Sequence, residues 1–187
     1  MNDNWIIKCM DEKHKQESLD FVEKVFTKSD GEKEGKLVRN LVEEIRRKKF
    51  YLPKLELIMT DEADSVIGYA MFSRFHLGGK YEDQLLILTP VAVKTELQRQ
   101  HISKRLIEYG FEKAKEMGYE MVLVEGDPRN YNPRGFETSC NYGITASEKI
   151  RLPAPECLMV KELKEGALES IKGMVDYSYY ENLVSGE

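Results

Sequence analysis

Two apolar runs that flank a helical pattern constrain the fold of this chain more than any other feature. Residues 85–88 and 121–124 are uninterrupted apolar runs, which are typical of strands buried on both faces of a sheet. Between them, residues 102–117 repeat apolar side chains at helical spacing, and Gly118 stands where a left-handed helix C-cap is expected. This order predicts a βαβ unit, in which a crossover helix connects two parallel strands.

The rest of the chain alternates between helical and strand-like patterns. Further strands are predicted at residues 5–10, 55–59, 66–75 and 157–160, and further helices at residues 15–26 and 37–45. Acidic residues 61–64 lie between two of these strands and indicate a hairpin turn. We expect Gly31 and Gly35 to form a turn between the helices, and residues 46–49 to form a basic, solvated helix end. The pattern as a whole predicts an α/β protein with a mixed sheet.

Length and composition favour one domain that covers residues 1–187. A chain of 187 residues with 41% apolar and 33% charged side chains can bury a core. It has no internal repeat and no linker rich in glycine, proline or serine. Residues 164–187 carry a weaker pattern, which we interpret as an extension or an edge strand of the same domain.

Charge and cysteine usage narrow the classes of function. Lys and Arg number 28 against 33 Asp and Glu, so the net charge is −5, which disfavours general binding to nucleic acid. No apolar run approaches the roughly 20 residues that cross a bilayer, and the N-terminus lacks the pattern of a secretory signal. The three cysteines and three histidines form no metal-ligand pattern. We therefore expect a cytoplasmic protein with reduced thiols and no bound metal, which associates with neither nucleic acid nor a membrane.

The most informative stretch runs from the strand at residue 88 into the helix at residue 102. A loop between a strand and a helix N-terminus presents backbone N–H groups and the positive end of the helix dipole, which suit a phosphate or pyrophosphate. Arg99, Lys104 and Arg105 add positive charge there. Pro90 cannot donate to a sheet ladder, so we expect the strand to bulge or splay at that point. Taken alone, these features also fit an ordinary strand-to-helix turn.

Two motifs in this region resemble those of the GNAT superfamily of N-acetyltransferases, and its bacterial members in particular. Residues 88–102 follow the pattern L-x-P-x-A-V-x-x-x-x-Q-x-x-x-I, and residues 126–136 follow G-D-P-x-x-Y-x-x-x-G-F. The resemblance implies the GNAT fold, in which a mixed central sheet is splayed at the cofactor site and carries helices on both faces. It also implies an acetyl-CoA-dependent N-acetyltransferase that acts by direct attack in a ternary complex.

The resemblance further implies which residues bind acetyl-CoA or coenzyme A. In the family, the pantetheine arm lies between the splayed strands and bonds to the backbone of the first, at positions that match Val91 and Val93. The implied cofactor-binding residues are Val91, Ala92, Val93, Gln98, Arg99, Gln100, His101, Ile102, Ser103, Lys104 and Asn130. The family usually has small residues, glycine above all, at the positions of His101 and Ser103. Ser103 is a small substitute, whereas His101 contacts a phosphate, narrows the loop, or is a surface residue at a helix start.

Tyr131 is the candidate general acid, because it occupies the tyrosine position of the second motif. The departing thiolate needs a proton, and a phenol with a pKa of about 10 is a competent partner for a thiol with a pKa of about 8.5. The alternative is that Tyr131 only packs against Phe136.

Glu125 is the candidate general base for the attacking amine. It stands at the C-terminal end of a buried strand, where an α/β crevice opens. The alternative is a rim carboxylate that forms an ion pair with Arg129 or Arg134. Asp83 and Glu56 are lesser candidates for the base.

Two further residues and one segment have a structural interpretation, and for two of these three a functional interpretation is also open. Asp127 is expected to cap the short helix that follows it. His76 either lines an acceptor pocket or is a surface residue at a strand end. Aromatic residues 177–180 form either a docking or dimer strip or a C-terminal strand that closes the core.

The sequence leaves three functional hypotheses. The first is an N-acetyltransferase with a small-molecule or peptide amine as acceptor, favoured by Tyr131 and by the splay at Pro90. The second is a catalytically weak CoA- or acyl-CoA-binding module, or a pseudoenzyme with a regulatory or interaction role, favoured by His101 and Ser103. The third is an interaction protein that keeps only the fold. A homodimer is a further expectation.

Overall fold

A computed structural model describes residues 4–182, which contain five α-helices and nine β-strands. The helices are α1 (Lys15–Asp30), α2 (Glu32–Arg47), α3 (Ile102–Glu116), α4 (Pro128–Tyr131) and α5 (Ala167–Ser170). The strands are β1 (Ile6–Cys9), β2 (Glu56–Thr60), β3 (Val66–Leu77), β4 (Lys80–Val93), β5 (Met121–Glu125), β6 (Glu137–Thr138), β7 (Ile144–Ala146), β8 (Leu158–Glu162) and β9 (Gly173–Val175). Residues 1–3 at the N-terminus and residues 183–187 of the predicted extension lie outside the described residues. Within residues 4–182, none of the helices has the length and apolar character needed to span a bilayer.

Seven strands form one mixed sheet in the order β1-β2-β3-β4-β5-β8-β6. β4 and β5 are parallel neighbours connected through α3, which confirms the predicted βαβ unit. β2 and β3 form the predicted antiparallel hairpin. In its turn, the carboxylate of Asp61 accepts hydrogen bonds from the backbone N–H groups of Ala63 and Ser65, so the acidic turn is stabilised as an Asx-type turn.

The described chain divides into two compact units. The N-terminal unit comprises the residues up to Ser73 together with Thr89–Gly110, and the C-terminal unit comprises Arg74–Leu88 together with the residues from Phe111 onward. The loop that precedes α3 belongs to the N-terminal unit. The two candidate catalytic side chains, which lie on β5 and α4, belong to the C-terminal unit.

In the N-terminal unit, helices cover both faces of the sheet. Neighbouring residues of a strand point to opposite faces. A Cβ atom added to Gly68 of β3 would lie 2.5 Å from a methyl carbon of Ile102. The face of the sheet to which Gly68 points therefore packs closely against α3. The next residue, Tyr69, donates its hydroxyl to Glu56, which also binds Arg46 of α2. The opposite face is therefore covered by α2.

The turn between α1 and α2 is shorter than the sequence predicts. Gly31 ends α1 with a φ of 96°, and α2 begins at Glu32, so Gly35 lies inside α2 rather than in the turn. A Cβ added to Gly35 would clash with the side chain of Thr27 and the carbonyl of Glu23 in α1. Glycine disfavours the interior of a helix, but here the close packing of α1 and α2 outweighs that preference, so the predicted place of Gly35 in the turn is wrong.

The C-terminal segment contributes a strand to a second sheet rather than to an edge of the main one. β9 pairs in parallel with β7, with Gly173 opposite Ile144. The late strand predicted at residues 157–160 begins at Leu158, because Cys157 lies in a short 3-10 turn.

Candidate active site

The loop before α3 holds two residues in the left-handed backbone region. Arg99 has a φ of 63° and His101 has a φ of 62°. Residues other than glycine rarely adopt this region, since it costs about 1–2 kcal/mol per residue. His101 occupies the position at which the first motif of the resembling family usually has glycine. The loop therefore keeps a glycine-like conformation, and because the imidazole is exposed, the ring does not fill the loop.

Helix α3 begins directly after this loop, and the N–H of Arg105 donates to the carbonyl of His101 at 3.0 Å. The amides of a first helical turn have no carbonyl of a preceding turn to bind, and they point out of the N-terminus, where the helix dipole is positive. Arg99 and Lys104 are exposed in this segment. Arg105 has a different role, since its guanidinium donates to the carbonyl of Trp5 at 3.2 Å. Main-chain N–H groups flanked by cationic side chains can bind a phosphate or pyrophosphate.

Strand β4 continues beyond the residues that pair with β5. The parallel pairing ends with Ile87 opposite Leu123, whereas β4 runs on to Val93. Burial alternates along this last part of the strand, with Ala92 buried and Val91 and Val93 half-buried. The pairing thus stops before the proline at which the sequence predicts a splay.

Asp127 begins the short helix that carries Tyr131. Its carboxylate accepts the backbone N–H of Arg129 at 2.9 Å, which confirms the predicted cap. The guanidinium of Arg129 binds the same carboxylate at 2.6 Å, so the predicted ion pair of Arg129 with Glu125 is wrong. A partner two positions away in the chain is reached at a smaller cost in conformational entropy than a more distant one. Asn130, the next residue of the helix, is exposed.

The ring of Tyr131 is packed, while its hydroxyl has no hydrogen-bond partner among residues 4–182. The ring meets Phe136 edge to face with centroids 5.5 Å apart, and a Cβ added to Gly126 would lie 2.5 Å from its Cε2 atom. Burial raises the pKa of Tyr131 to about 12, against a smaller lowering by the charge of Arg134. The phenol therefore keeps its proton at neutral pH. The packing alternative and the acid alternative are compatible, since they use different parts of the side chain.

Glu125 ends β5 and is bound by a tyrosine that the sequence pattern did not indicate. The hydroxyl of Tyr177 donates to Oε2 of Glu125 at 2.9 Å across 52 positions of sequence. Burial raises the pKa of the Glu125 carboxyl, and the hydrogen bond from Tyr177 offsets only part of that rise. Burial also raises the pKa of the Tyr177 phenol, which therefore remains the donor. A carboxylate with a raised pKa is a stronger base than an ordinary glutamate. Asp83, a lesser candidate for this role, is exposed.

Two of the three tyrosines in the aromatic tail, Tyr177 and Tyr180, pack inside the C-terminal unit, whereas Tyr179 is 39% exposed. Tyr177 and Tyr180 are only 5% and 2% exposed, and both rings lie against Phe75, with centroids 6.2 and 6.3 Å away. The segment is not a strand either. The rings of Tyr177 and Tyr180 close the core, as expected if the tail were a C-terminal strand, but they do so through side-chain packing and not through strand pairing.

His76 is buried, so the prediction of a surface histidine at a strand end is wrong. It is 7% exposed, and its Nδ1 accepts the backbone N–H of Gly79 at 2.9 Å in the turn between β3 and β4. Its ring also meets that of Tyr179 with centroids 4.0 Å apart. These contacts, which come from the turn and from the tail, give His76 a structural role.

A second buried carboxylate, Glu56, lies in the N-terminal unit and is fully enclosed. Arg46 donates to its Oε1 at 2.5 Å, and the hydroxyls of Tyr51 and Tyr69 each donate to the carboxylate at 2.6 Å. We call this group the Glu56 cluster. Because these donors surround a carboxylate with no exposed surface, Glu56 cannot reach a substrate, and we remove it from the candidates for the general base.

The Glu56 cluster also corrects the prediction of a solvated basic end of α2. The side chain of Arg46 is 11% exposed. Arg46 lies four residues after the buried Val42, and this helical spacing, which places it on the buried face of α2, was the signal that could have indicated its burial.

Comparison with known proteins places the chain among acetyltransferases. The sequence profile of the Acetyltransferase (GNAT) family matches residues 19–138. The chain is 31% identical over 143 residues to the uncharacterized N-acetyltransferase YhbS of Escherichia coli strain K12, an alignment that spans 76% of this chain and 81% of that protein. It is 32% identical over 133 residues to the uncharacterized N-acetyltransferase YjhQ of the same strain, across 70% of this chain and 71% of that protein.

Solved structures show the same fold. The crystal structure of YhbS from Escherichia coli in complex with CoA superposes with a TM-score of 0.77 at 25% identity, covering 93% of this chain and 89% of that one. A GNAT family acetyltransferase from Brucella melitensis in complex with acetyl-CoA gives a TM-score of 0.61 at 26% identity, covering 71% and 82% of the two chains. The chain belongs to the GNAT family of acetyltransferases.

Proposed function

We propose that the protein transfers the acetyl group of acetyl-CoA to the primary amine of a small molecule or peptide, by direct attack in a ternary complex. The observation that carries the proposal is the glycine-like backbone at Arg99 and His101, immediately before the N-terminus of α3. Two relatives with this fold have been solved with CoA or acetyl-CoA. A cytoplasmic location is part of the proposal and is supported by the free thiols of all three cysteines.

The loop fits the pyrophosphate of CoA in charge and in backbone shape. Its residues would act mainly through main-chain N–H groups, so an exposed imidazole at position 101 is compatible with binding. The residues proposed to contact the cofactor are Gln98, Arg99, Gln100, His101, Ile102, Ser103, Lys104 and Asn130, with Val91, Ala92 and Val93 offering backbone groups to the pantetheine arm.

Bound acetyl-CoA supplies a thioester whose carbonyl carbon the amine attacks. In the transfer a C–N bond forms, a C–S bond breaks, one proton leaves the amine nitrogen and one proton joins the sulfur. The amine must be neutral to attack, although a free amine with a pKa of about 10.4 is mostly charged at pH 7. We assign the removal of the amine proton to Glu125, because burial raises the pKa of its carboxyl and Tyr177 holds it in place.

We assign the donation of a hydrogen bond to the sulfur to Tyr131. Full proton transfer from a phenol whose pKa is about 12 to a thiolate whose conjugate acid has a pKa of about 8.5 is uphill. The hydroxyl therefore acts by donating a hydrogen bond that stabilises negative charge as it develops on sulfur, and the thiolate then takes its proton from water. The packing of the ring against Phe136 fixes the direction of the hydroxyl.

The test of this proposal is ligand-dependent stability followed by turnover. Acetyl-CoA at about one hundred times its dissociation constant should stabilise the fold by about 2.7 kcal/mol, a rise in Tm of roughly 5–10 °C for a chain of this size. Release of free CoA thiol with a panel of amines then separates an enzyme from a module that binds CoA without turnover. The absence of any rise in Tm at millimolar acetyl-CoA would overturn the assignment.

The variant His101→Gly sharpens the same experiment. Glycine relieves the left-handed backbone strain at this position, so we expect acetyl-CoA to bind at least as tightly as to the wild type. Weaker binding would instead assign a direct phosphate contact to the imidazole. Gln100→Gly introduces glycine at the exposed neighbouring position outside the left-handed region, so it should bring no gain in affinity and separates relief of strain from added loop flexibility.

A further inference from the structure

The two ends of the loop before α3 are fixed to adjacent residues of β3. At the start of the loop, the N–H of Lys94, which directly follows β4, donates to the carbonyl of Ile67 at 3.0 Å. At the end of the loop, Ile102 begins α3 and is buried, and one of its methyl carbons would lie 2.5 Å from a Cβ added to Gly68. Residues 95–101 therefore span the distance between two fixed points on one strand.

The two strained residues of the loop lie between these fixed ends. Arg99 has a φ of 63° and His101 has a φ of 62°, and both residues are exposed. Their own side chains therefore add little packing that could hold the backbone in the left-handed region. Strained backbone persists only where the surrounding structure fixes it. The shape of this loop thus depends on the contacts made at its two ends.

Arg105 adds a contact between the first turn of α3 and the N-terminal segment of the chain. Its backbone N–H donates to the carbonyl of the strained His101 at 3.0 Å, and its half-buried guanidinium donates to the carbonyl of Trp5 at 3.2 Å. Trp5 is buried and directly precedes β1, which pairs with β2. One residue therefore connects the strained end of the loop to the edge of the main sheet.

We propose that Arg105 is a positioning residue for the cofactor, which holds the loop in the strained conformation that binds the pyrophosphate. The proposal rests on the proposed function and adds a residue to it. A loop that already has its bound conformation loses less entropy when the ligand arrives, so it binds more tightly. Without the guanidinium, the loop should relax towards unstrained backbone. The Kd of CoA would then rise in proportion to the lost fraction of binding-competent protein.

The test is a double-mutant cycle of Arg105→Met and His101→Gly in the full-length protein, with the Kd of CoA measured by calorimetry. Met keeps most of the aliphatic stem of arginine and removes the guanidinium. We expect Arg105→Met to raise the Kd roughly 10-fold, which corresponds to a loop that is binding-competent about one tenth of the time. Glycine adopts the left-handed region without strain, so in the His101→Gly background Arg105→Met should raise the Kd by less than about 3-fold.

The cycle separates positioning from direct contact with the phosphate. A guanidinium that bound the phosphate itself would be missed equally in both backgrounds, so equal rises in the Kd would overturn the proposal. An unchanged Kd in Arg105→Met would also overturn it. Failure of the wild type to bind CoA would instead overturn the proposed function, whereas the other outcomes all require that the wild type binds.

Arg39→Met is the matched control for a general loss of stability. Arg39 of α2 also connects separate segments of the N-terminal unit, because its guanidinium donates to Asp20 and Glu23 of α1, and it lies outside the loop. This variant should lower the Tm and leave the Kd of CoA unchanged. A rise in the Kd as large as that of Arg105→Met would attribute the effect to destabilisation of the unit and would overturn the proposal.

Discussion

Glu56 and Glu125 are both glutamates at strand termini with little access to water, yet the two units place them in opposite chemical situations. Glu56 in the N-terminal unit is fully buried and receives hydrogen bonds from the guanidinium of Arg46 and the hydroxyls of Tyr51 and Tyr69. Glu125 in the C-terminal unit is half-buried and receives one hydrogen bond, from Tyr177.

The difference teaches that burial by itself does not make a carboxylate reactive. When a buried carboxylate receives hydrogen bonds from a cation and from several other donors, these bonds offset the free-energy cost of its desolvation, and its role is structural. One with a single neutral donor keeps part of its desolvation penalty, which raises its pKa and leaves an oxygen available for a proton. The same distinction separates the tyrosines, since the hydroxyl of Tyr69 is used by Glu56 and that of Tyr131 is not used by any described residue.

The largest expected effect is on turnover, in the pair Tyr131→Phe and Tyr69→Phe. Tyr131→Phe keeps the ring packing and removes the hydroxyl, so kcat should fall by about 10²–10⁴-fold with little change in acetyl-CoA affinity or in Tm. The loss should shrink at low pH, where solvent supplies the proton more readily. Tyr69→Phe should do the reverse, with kcat unchanged and stability lowered by about 1.5–3 kcal/mol, because a hydrogen bond to a charged group is lost. A Tyr131→Phe enzyme with wild-type kcat, under conditions where chemistry is rate-limiting, would reduce Tyr131 to a packing residue.

The next effect is on folding, in the pair Arg46→Met and Arg129→Met. Removal of Arg46 leaves Glu56 buried without its cation, which should lower the free energy of unfolding by about 3–5 kcal/mol. Arg129 pairs with Asp127 at the surface, so Arg129→Met should leave the urea midpoint within error of the wild type. Equal urea midpoints for the two variants would contradict the contrast between the buried and exposed ion pairs.

The smallest set of effects comes from Glu125→Gln. Turnover should fall by about 10²-fold, because the amide cannot accept the amine proton. The pKa of Glu125 is raised above the ordinary glutamate value of about 4.3, so the kcat/KM of the wild type should still be rising with pH above that value. The Gln variant should lack this rising part of the pH profile.

Stability should respond to the same substitution with the opposite sign. A carboxyl whose pKa is raised by folding favours the folded state at low pH, and this contribution is lost as pH rises through the raised pKa. The Tm of Glu125→Gln should therefore exceed that of the wild type at neutral pH, and the gap should close on acidification. A gap that widens on acidification would show that the carboxylate is stabilised, not strained, by its surroundings.

Local patterns predicted the elements that depend on neighbouring residues. The βαβ unit follows from apolar runs and helical spacing, and the Asp127 cap and the Asp61 turn follow from side chains that bond to amides two residues away. The error at Gly35 arose because glycine was judged by its intrinsic preference, while the neighbouring helix decided its place.

Only those residues of the candidate site that belong to a sequence motif could be predicted. The loop position of His101 and the motif position of Tyr131 could be assigned, but the left-handed φ of His101 and the unpartnered hydroxyl of Tyr131 could not. The sequence places Tyr177 in an aromatic tail that is either a docking or dimer strip or a strand that closes the core, and no local pattern connects it with Glu125.

The sequence by itself therefore determined the order and type of most elements, the family motifs and the residue types that the chemistry needs. Those features depend on the periodicity of side chains and on hydrogen bonds between residues a few positions apart, so they can be predicted from the sequence alone. Only the tertiary structure decided which carboxylate is compensated and which is not. Arg46, Tyr51 and Tyr69 meet Glu56, and Tyr177 meets Glu125, through contacts across 5 to 52 positions of sequence. The pKa of a buried group depends on the donors, the cations and the loss of water around it, and these are fixed only when distant segments pack together.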